Sequence, residues 1–264
     1  MFGKLLKYDC RSMLKQFGFI WPAALALALI NRFTLGGLDG SSAVGETAAG
    51  IAMLVYVAIL MAMFVIAVIF VIQRFYKGLL GDEGYLMHTL PVKPWQLVAS
   101  KLLTAVLATM ASVLVAVGSI FLIAPMGWSD LMNLFSFLGR LFTHWNIQAT
   151  HAAVGTVEVI LLMMASFAVG YLELYLAMAL GHLFSKHRAA MSFVAFIGVQ
   201  VAIRILGNIV LQPVDSLLGS LVEGLHGPSG FHATVWIAIA GEAVVSAIYF
   251  AGTEYILRRR LNLE

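Results

Sequence analysis

The chain is 264 residues long; 61% of them are hydrophobic and only 11% charged, with a mean hydropathy of +0.95. This excludes a soluble domain, whose water-facing shell takes about a quarter of its residues as charged side chains, and leaves the bilayer as the solvent. A net charge of +3 does not here point to nucleic acid, because in a membrane protein the side on which charges lie matters more than their sum.

A helix needs about 20 apolar residues to cross the hydrocarbon core, and six windows qualify: 17–33, 48–73, 95–123, 153–180, 189–211 and 232–257. The expected fold is an all-α integral membrane protein, one transmembrane domain over 1–264 with six spans. Ahead of the first span, Phe2, Leu5, Leu6, Cys10, Met13 and Phe17 recur at helical spacing, with Lys4, Lys7, Arg11 and Lys15 on another face. That pattern predicts an amphipathic interfacial helix over 1–15. A basic start followed by an apolar run also fits a signal peptide, but the two-faced periodicity favours a retained helix. Pro22 is tolerable near the start of the first span.

Basic residues give the orientation. Lys4, Lys7, Arg11 and Lys15 precede span one; Arg74, Lys77, Lys93 and Lys101 flank the connection from span two to span three; Lys186 and Arg188 separate spans four and five; Arg258, Arg259 and Arg260 follow span six. Retention of basic residues on the cytoplasmic side places both termini inside, as an even number of spans requires. The outer connections are then 34–47, 124–152 and 212–231. The second carries Leu131, Leu134, Phe135 and Leu138 at interfacial-helix spacing, and Pro213 and Asp215 could begin a short helix in the third.

The most informative segment runs from Arg74 to Lys101. Gly78 and Gly81 allow sharp turns after span two, Asp82 and Glu83 put negative charge at the first turn of a short helix, and Pro91 stops it. Pro94 fits the first turn of span three. A two-turn helix is marginal alone, so Tyr85, Leu86, Met87 and Leu90 must pack on something, either their own bundle or a partner protein.

The run DEGYLMHTLPVKPWQLVASK resembles the coupling segment of permease subunits of type 2 ATP-binding-cassette exporters, through Glu83, Gly84, Tyr85, Leu86, Leu90, Pro91, Leu97 and Lys101. The resemblance extends to the six spans, the inside termini and the amphipathic start. It implies a second permease copy or a sister permease, and cytoplasmic nucleotide-binding subunits that grip Asp82 to Leu90 and carry ATP and Mg. It implies a bacterial or archaeal cytoplasmic membrane, and a cargo it does not specify. A weaker second cytoplasmic contact falls at His182, Lys186 and Arg188. The chain has no GxxxxGK[ST] loop, so it is expected to bind no nucleotide or other cofactor, to catalyse nothing itself, and to have lipids but no nucleic acid as further partners.

Ionisable residues inside spans cost about 2.5–3.5 kcal/mol each on insertion scales and need a reason. Arg204 and Glu242 lie at similar depth, about 22 Å from the cytoplasmic ends of spans five and six, and Glu173 about 12 Å from that of span four. A structural Arg204–Glu242 ion pair is the leading expectation, with a lining of the translocation route as the functional alternative. Glu158 and Glu254 are close enough to the interfaces to reach water. Gly170, Gly241 and Gly252 could permit close helix packing, and Trp21, Trp95, Trp128, Trp145 and Trp236 suit interfaces. The histidines do not converge on a metal site, and HExxH and GxSxG are absent. The alternatives to an exporter are a secondary transporter using the intramembrane Arg and Glu residues, or a non-catalytic membrane assembly protein.

Overall fold

The computed structural model describes residues 2–37, 43–81, 92–123, 149–184, 187–223 and 228–259. Its elements are α1 (Phe2–Gly37), α2 (Ala43–Phe75) prolonged by a π-helical turn (Tyr76–Leu80), α3 (Pro94–Ile123), α4 (Ala149–Gly181), α5 (Arg188–Glu223) and α6 (Pro228–Arg259), with no strand among the described residues. All six long helices are apolar and extended enough to cross a membrane, which makes this a multi-pass membrane protein. Phe19, Leu54 and Leu114 stand exposed on them, as lipid-facing side chains do.

Two predicted boundaries are absent. The interfacial helix and the first span are one uninterrupted helix, α1, with Pro22 inside it. The stripe Asp9, Met13, Phe17, Ala24, Ala28 and Asn31 is buried along its length, while Lys4, Lys7, Arg11 and Lys15 are exposed. Packing on one continuous face holds the helix straight through the position where a break was expected. Likewise α5 continues past Pro213 to Glu223; a helix interior can forgo the one N–H that proline lacks. The helix predicted around Leu131 to Leu138 lies outside the described residues.

The chain divides into two compact units, Met1–Arg74 with Leu103–Met132, and Phe75–Leu102 with Asn133–Glu264. In the first, Phe17 of α1 is buried against Met13, Ala67 and Ala108, with Trp21 and Phe70 packed alongside. The Phe17 ring lies 5.5 Å from both aromatic neighbours, edge-on to Phe70. Alanines at positions 67 and 108 let the backbones approach closely. Neutral hydrogen bonds tie the same helices together: Trp21 Nε1 donates to Ser112 Oγ at 3.0 Å, Asn31 Nδ2 to the Ala52 carbonyl at 3.1 Å, and the Tyr56 and Ser119 hydroxyls meet at 2.7 Å. Trp21 thus packs within this unit through both its ring and its N–H. At one end Asp9, buried, pairs with Arg74.

In the second unit α4 packs along both α5 and α6, which scarcely touch each other. The α4/α6 contacts keep a nearly constant offset: Glu158 meets His232 and Trp236, Ser166 meets Glu242, and Leu176 meets Gly252. Rising numbers on both sides mean the two helices run parallel, with α5 as the return path. Of the candidate packing glycines, Gly252 abuts Leu176, whereas a Cβ on Gly170 or Gly241 would meet nothing within 4 Å. At the end of α4 the chain turns tightly into α5. Gly181 sits against Ser192 there, and His187 adopts a left-handed φ of 56° just before α5 begins.

Candidate functional site

The central residues of the predicted coupling helix, Asp82, Glu83, Gly84, Tyr85, Leu86, Leu90 and Pro91, lie outside the described residues, as does Lys186. Both roots of that segment are described. On the near side, α2 loosens into the π turn Tyr76–Leu80, closed by a 2.7 Å bond from the Gly81 N–H to the Tyr76 carbonyl. Gly78 does not turn the chain, as expected, but is buried inside this π turn; the helix ends at Gly81, with φ −98° and ψ −163°. On the far side α3 starts at Pro94. The Gln96 side chain reaches back to accept from the Lys93 N–H at 3.2 Å, the reciprocal half of a capping box.

The two roots meet at one close contact. Lys101 is buried in the second turn of α3, and a Cβ placed on Gly78 would lie 3.0 Å from its Nζ. Glycine at 78 is therefore the room the lysine head occupies. Leu79 and Leu80 beside Gly78, and Leu97 and Val98 ahead of Lys101 in the chain, are buried as well. Leu97 and Lys101, the last two positions of the sequence motif, are thus structural at this joint.

The π turn is also clasped by α4. Phe75 and Tyr175, both fully buried, stack at 3.9 Å with planes 9° apart, and Tyr76 meets the His182 ring edge-on at 5.0 Å. His182 lies in the turn after α4, where its N–H bonds back to the Met178 carbonyl. Its Nδ1 is buried without a partner among the described residues. Burial, and then the positive charge of Arg188, hold its pKa below the ordinary histidine value; the Met178 backbone bond opposes this in part. Neither aromatic contact was legible in sequence, since nothing in the spacing of Phe75 and Tyr175 joins positions a hundred residues apart.

The intramembrane ionisable residues distribute differently from expectation. Arg204 and Glu242 do not pair. Arg204 is exposed on α5, and Glu242 Oε1 accepts from Ser166 Oγ on α4 at 2.6 Å. The reason is topological: the partner of α6 is α4, not the adjacent α5. Glu173 is buried, and its Oε2 accepts from Gln200 Nε2 of α5 at 2.9 Å. Glu158 is not the water-facing residue expected. It is buried, with Oε2 at 2.6 Å from His232 Nδ1 and Oε1 accepting from Trp236 Nε1 at 2.9 Å.

No group of three His, Cys, Asp or Glu suited to a metal occurs among the described residues. Chemically the unit offers an aromatic joint at one end of α4 and a line of carboxylates along α4/α6. The chain matches no protein-family model, no curated protein and no solved structure.

Proposed function

We propose that this chain is the membrane permease subunit of an ATP-driven exporter of the type 2 ATP-binding-cassette kind, working with a second permease and with separate nucleotide-binding subunits. The observation that carries this reading is the joint at the roots of the segment from Asp82 to Pro91. A force applied to that segment from the cytoplasm is delivered to α2 and α3 through Gly78 and Lys101, and to α4 through Phe75/Tyr175 and Tyr76/His182. An ordinary connecting loop has no need of such a rigid root. Coupling requires the docking contact to differ between two states of the bundle, and a stiff lever converts a small movement of the partner into a movement of three helices.

The test uses the tagged full chain reconstituted in nanodiscs with the ATPase that accompanies it through purification. The permease is expected to raise ATP turnover severalfold. Glu83→Ala and Tyr85→Ala should each abolish that stimulation while leaving insertion of the chain unchanged. Absence of an associated ATPase, or stimulation indifferent to both substitutions, removes the exporter reading. Transport driven by an imposed ion gradient without ATP would replace it with a secondary transporter.

A further inference from the structure

The four buried side-chain nitrogen or oxygen atoms without a partner among the described residues are Arg74 Nε, His182 Nδ1, Glu173 Oε1 and Glu242 Oε2. The last two belong to one seam. Ser166 and Glu173 are a heptad apart on α4, as Glu242 and Tyr249 are on α6, so each pair shares a helix face. The parallel register sets Ser166 opposite Glu242, and Tyr249 lies within electrostatic reach of Glu173 one heptad further on. The geometry points to a proton-binding site at Glu173.

Glu173 is only 6% exposed, and its carboxyl has one neutral donor, Gln200, on one oxygen and nothing on the other. An ionised carboxylate inside a membrane needs a cation or several donors, and Glu173 has neither. The groups the structure sets against Glu173 are Gln200 of α5, which donates to it, and Tyr249 of α6, within electrostatic reach; Tyr171 and Tyr175 of its own helix lie on another face, and Arg204, one turn along α5 from Gln200, is exposed. Among the described residues no ion pair reaches Glu173. Lys101, a buried cation of the unit, is seated at Gly78.

Binding H⁺ converts the Glu173 carboxylate to a neutral acid, with the O–H on the bare Oε1 and the existing hydrogen bond kept on Oε2. Gln200 serves both states, because its amide N–H donates to a carboxylate oxygen and to the carbonyl oxygen of the neutral acid alike. A metal ion fits poorly: Ca²⁺ takes about six to eight oxygens, whereas Glu173 is met by a single amide. The inference does not depend on an ATPase partner, so it can fail while the exporter reading stands, and the reverse.

The test is an infrared pH titration of the full chain in lipid nanodiscs, following the carbonyl band of protonated carboxylic acids. Wild type should show this band at neutral pH and lose it as pH rises. Glu173→Gln should remove most of it, and Glu173→Asp should retain it with a displaced midpoint. If Glu173→Gln fails to elute as a folded protein, Gln200→Leu must shift the band or its midpoint. A band absent from wild type at every pH, undiminished in Glu173→Gln, unmoved by Gln200→Leu, or abolished by sodium at constant pH would overturn the proposal.

Discussion

The two units solve the problem of polar atoms in lipid differently. The first uses uncharged groups in its interior, Trp21 with Ser112, Tyr56 with Ser119 and Asn31 with a carbonyl, and confines its ion pair, Asp9 with Arg74, to one end. The second runs carboxylates down its seam at Glu158, Glu242 and Glu173, each served by an uncharged donor or a histidine. Neutral pairs hold helices together at any pH. Acidic rungs bring ionisable groups that the neutral pairs lack, so the first unit reads as scaffold and the second as the part able to respond.

The sharpest disturbance of this contrast is Gly181→Ala. Its Cβ would fall 2.5 Å from the Ser192 backbone, so the α4–α5 turn must open. Loss of most folded protein in size-exclusion chromatography is expected, the largest effect of any single methyl group considered. Next comes Glu158→Leu, which leaves both His232 and Trp236 without their acceptor. At about 1–3 kcal/mol for each stranded donor, the thermal midpoint should fall clearly.

The matched change in the first unit, Ser112→Ala, removes one neutral acceptor from Trp21 and should cost about 1 kcal/mol. If it equals Glu158→Leu in a melting assay, the distinction between the units collapses. Arg204→Leu and Glu242→Leu, lacking a shared bond, should combine additively to within about 0.5 kcal/mol; rescue in the double variant would restore the ion pair between them.

The smallest effect is that of pH on the π-turn clasp. His182 has a folded pKa below its ordinary 6.5, so in the window just below 6.5 the unfolded chain binds more protons than the folded one. Stability from this residue is full above that value and declines as pH falls through the window. His182→Gln should flatten a melting-temperature profile across it.

Hydropathy announced the six helices because lipid imposes a strong, local requirement that any 20-residue window displays. Pro94 announced the start of α3 for an equally local reason, the chemistry of a helix's first turn. What eluded the sequence depends on pairing between distant segments. Pro213 resembles the start of a separate helix, yet α5 runs through it. Gly78 resembles a turn until Lys101 is placed beside it. Glu242 resembles a partner for Arg204 until α4, not α5, proves to lie along α6. Ser166, Gln200 and Tyr249 carry no distinguishing pattern of their own and acquire meaning only beside the carboxylates they face.

The steady offset between α4 and α6 has a further consequence. Aliphatic side chains are nearly interchangeable, and two such helices could slide by one turn with little loss of van der Waals contact. At Glu158 and Glu242 the slide would strand the polar rungs of both levels at once. The acidic positions therefore act as the graduations of a vernier, penalising each misalignment together and leaving one setting at which all of them read true.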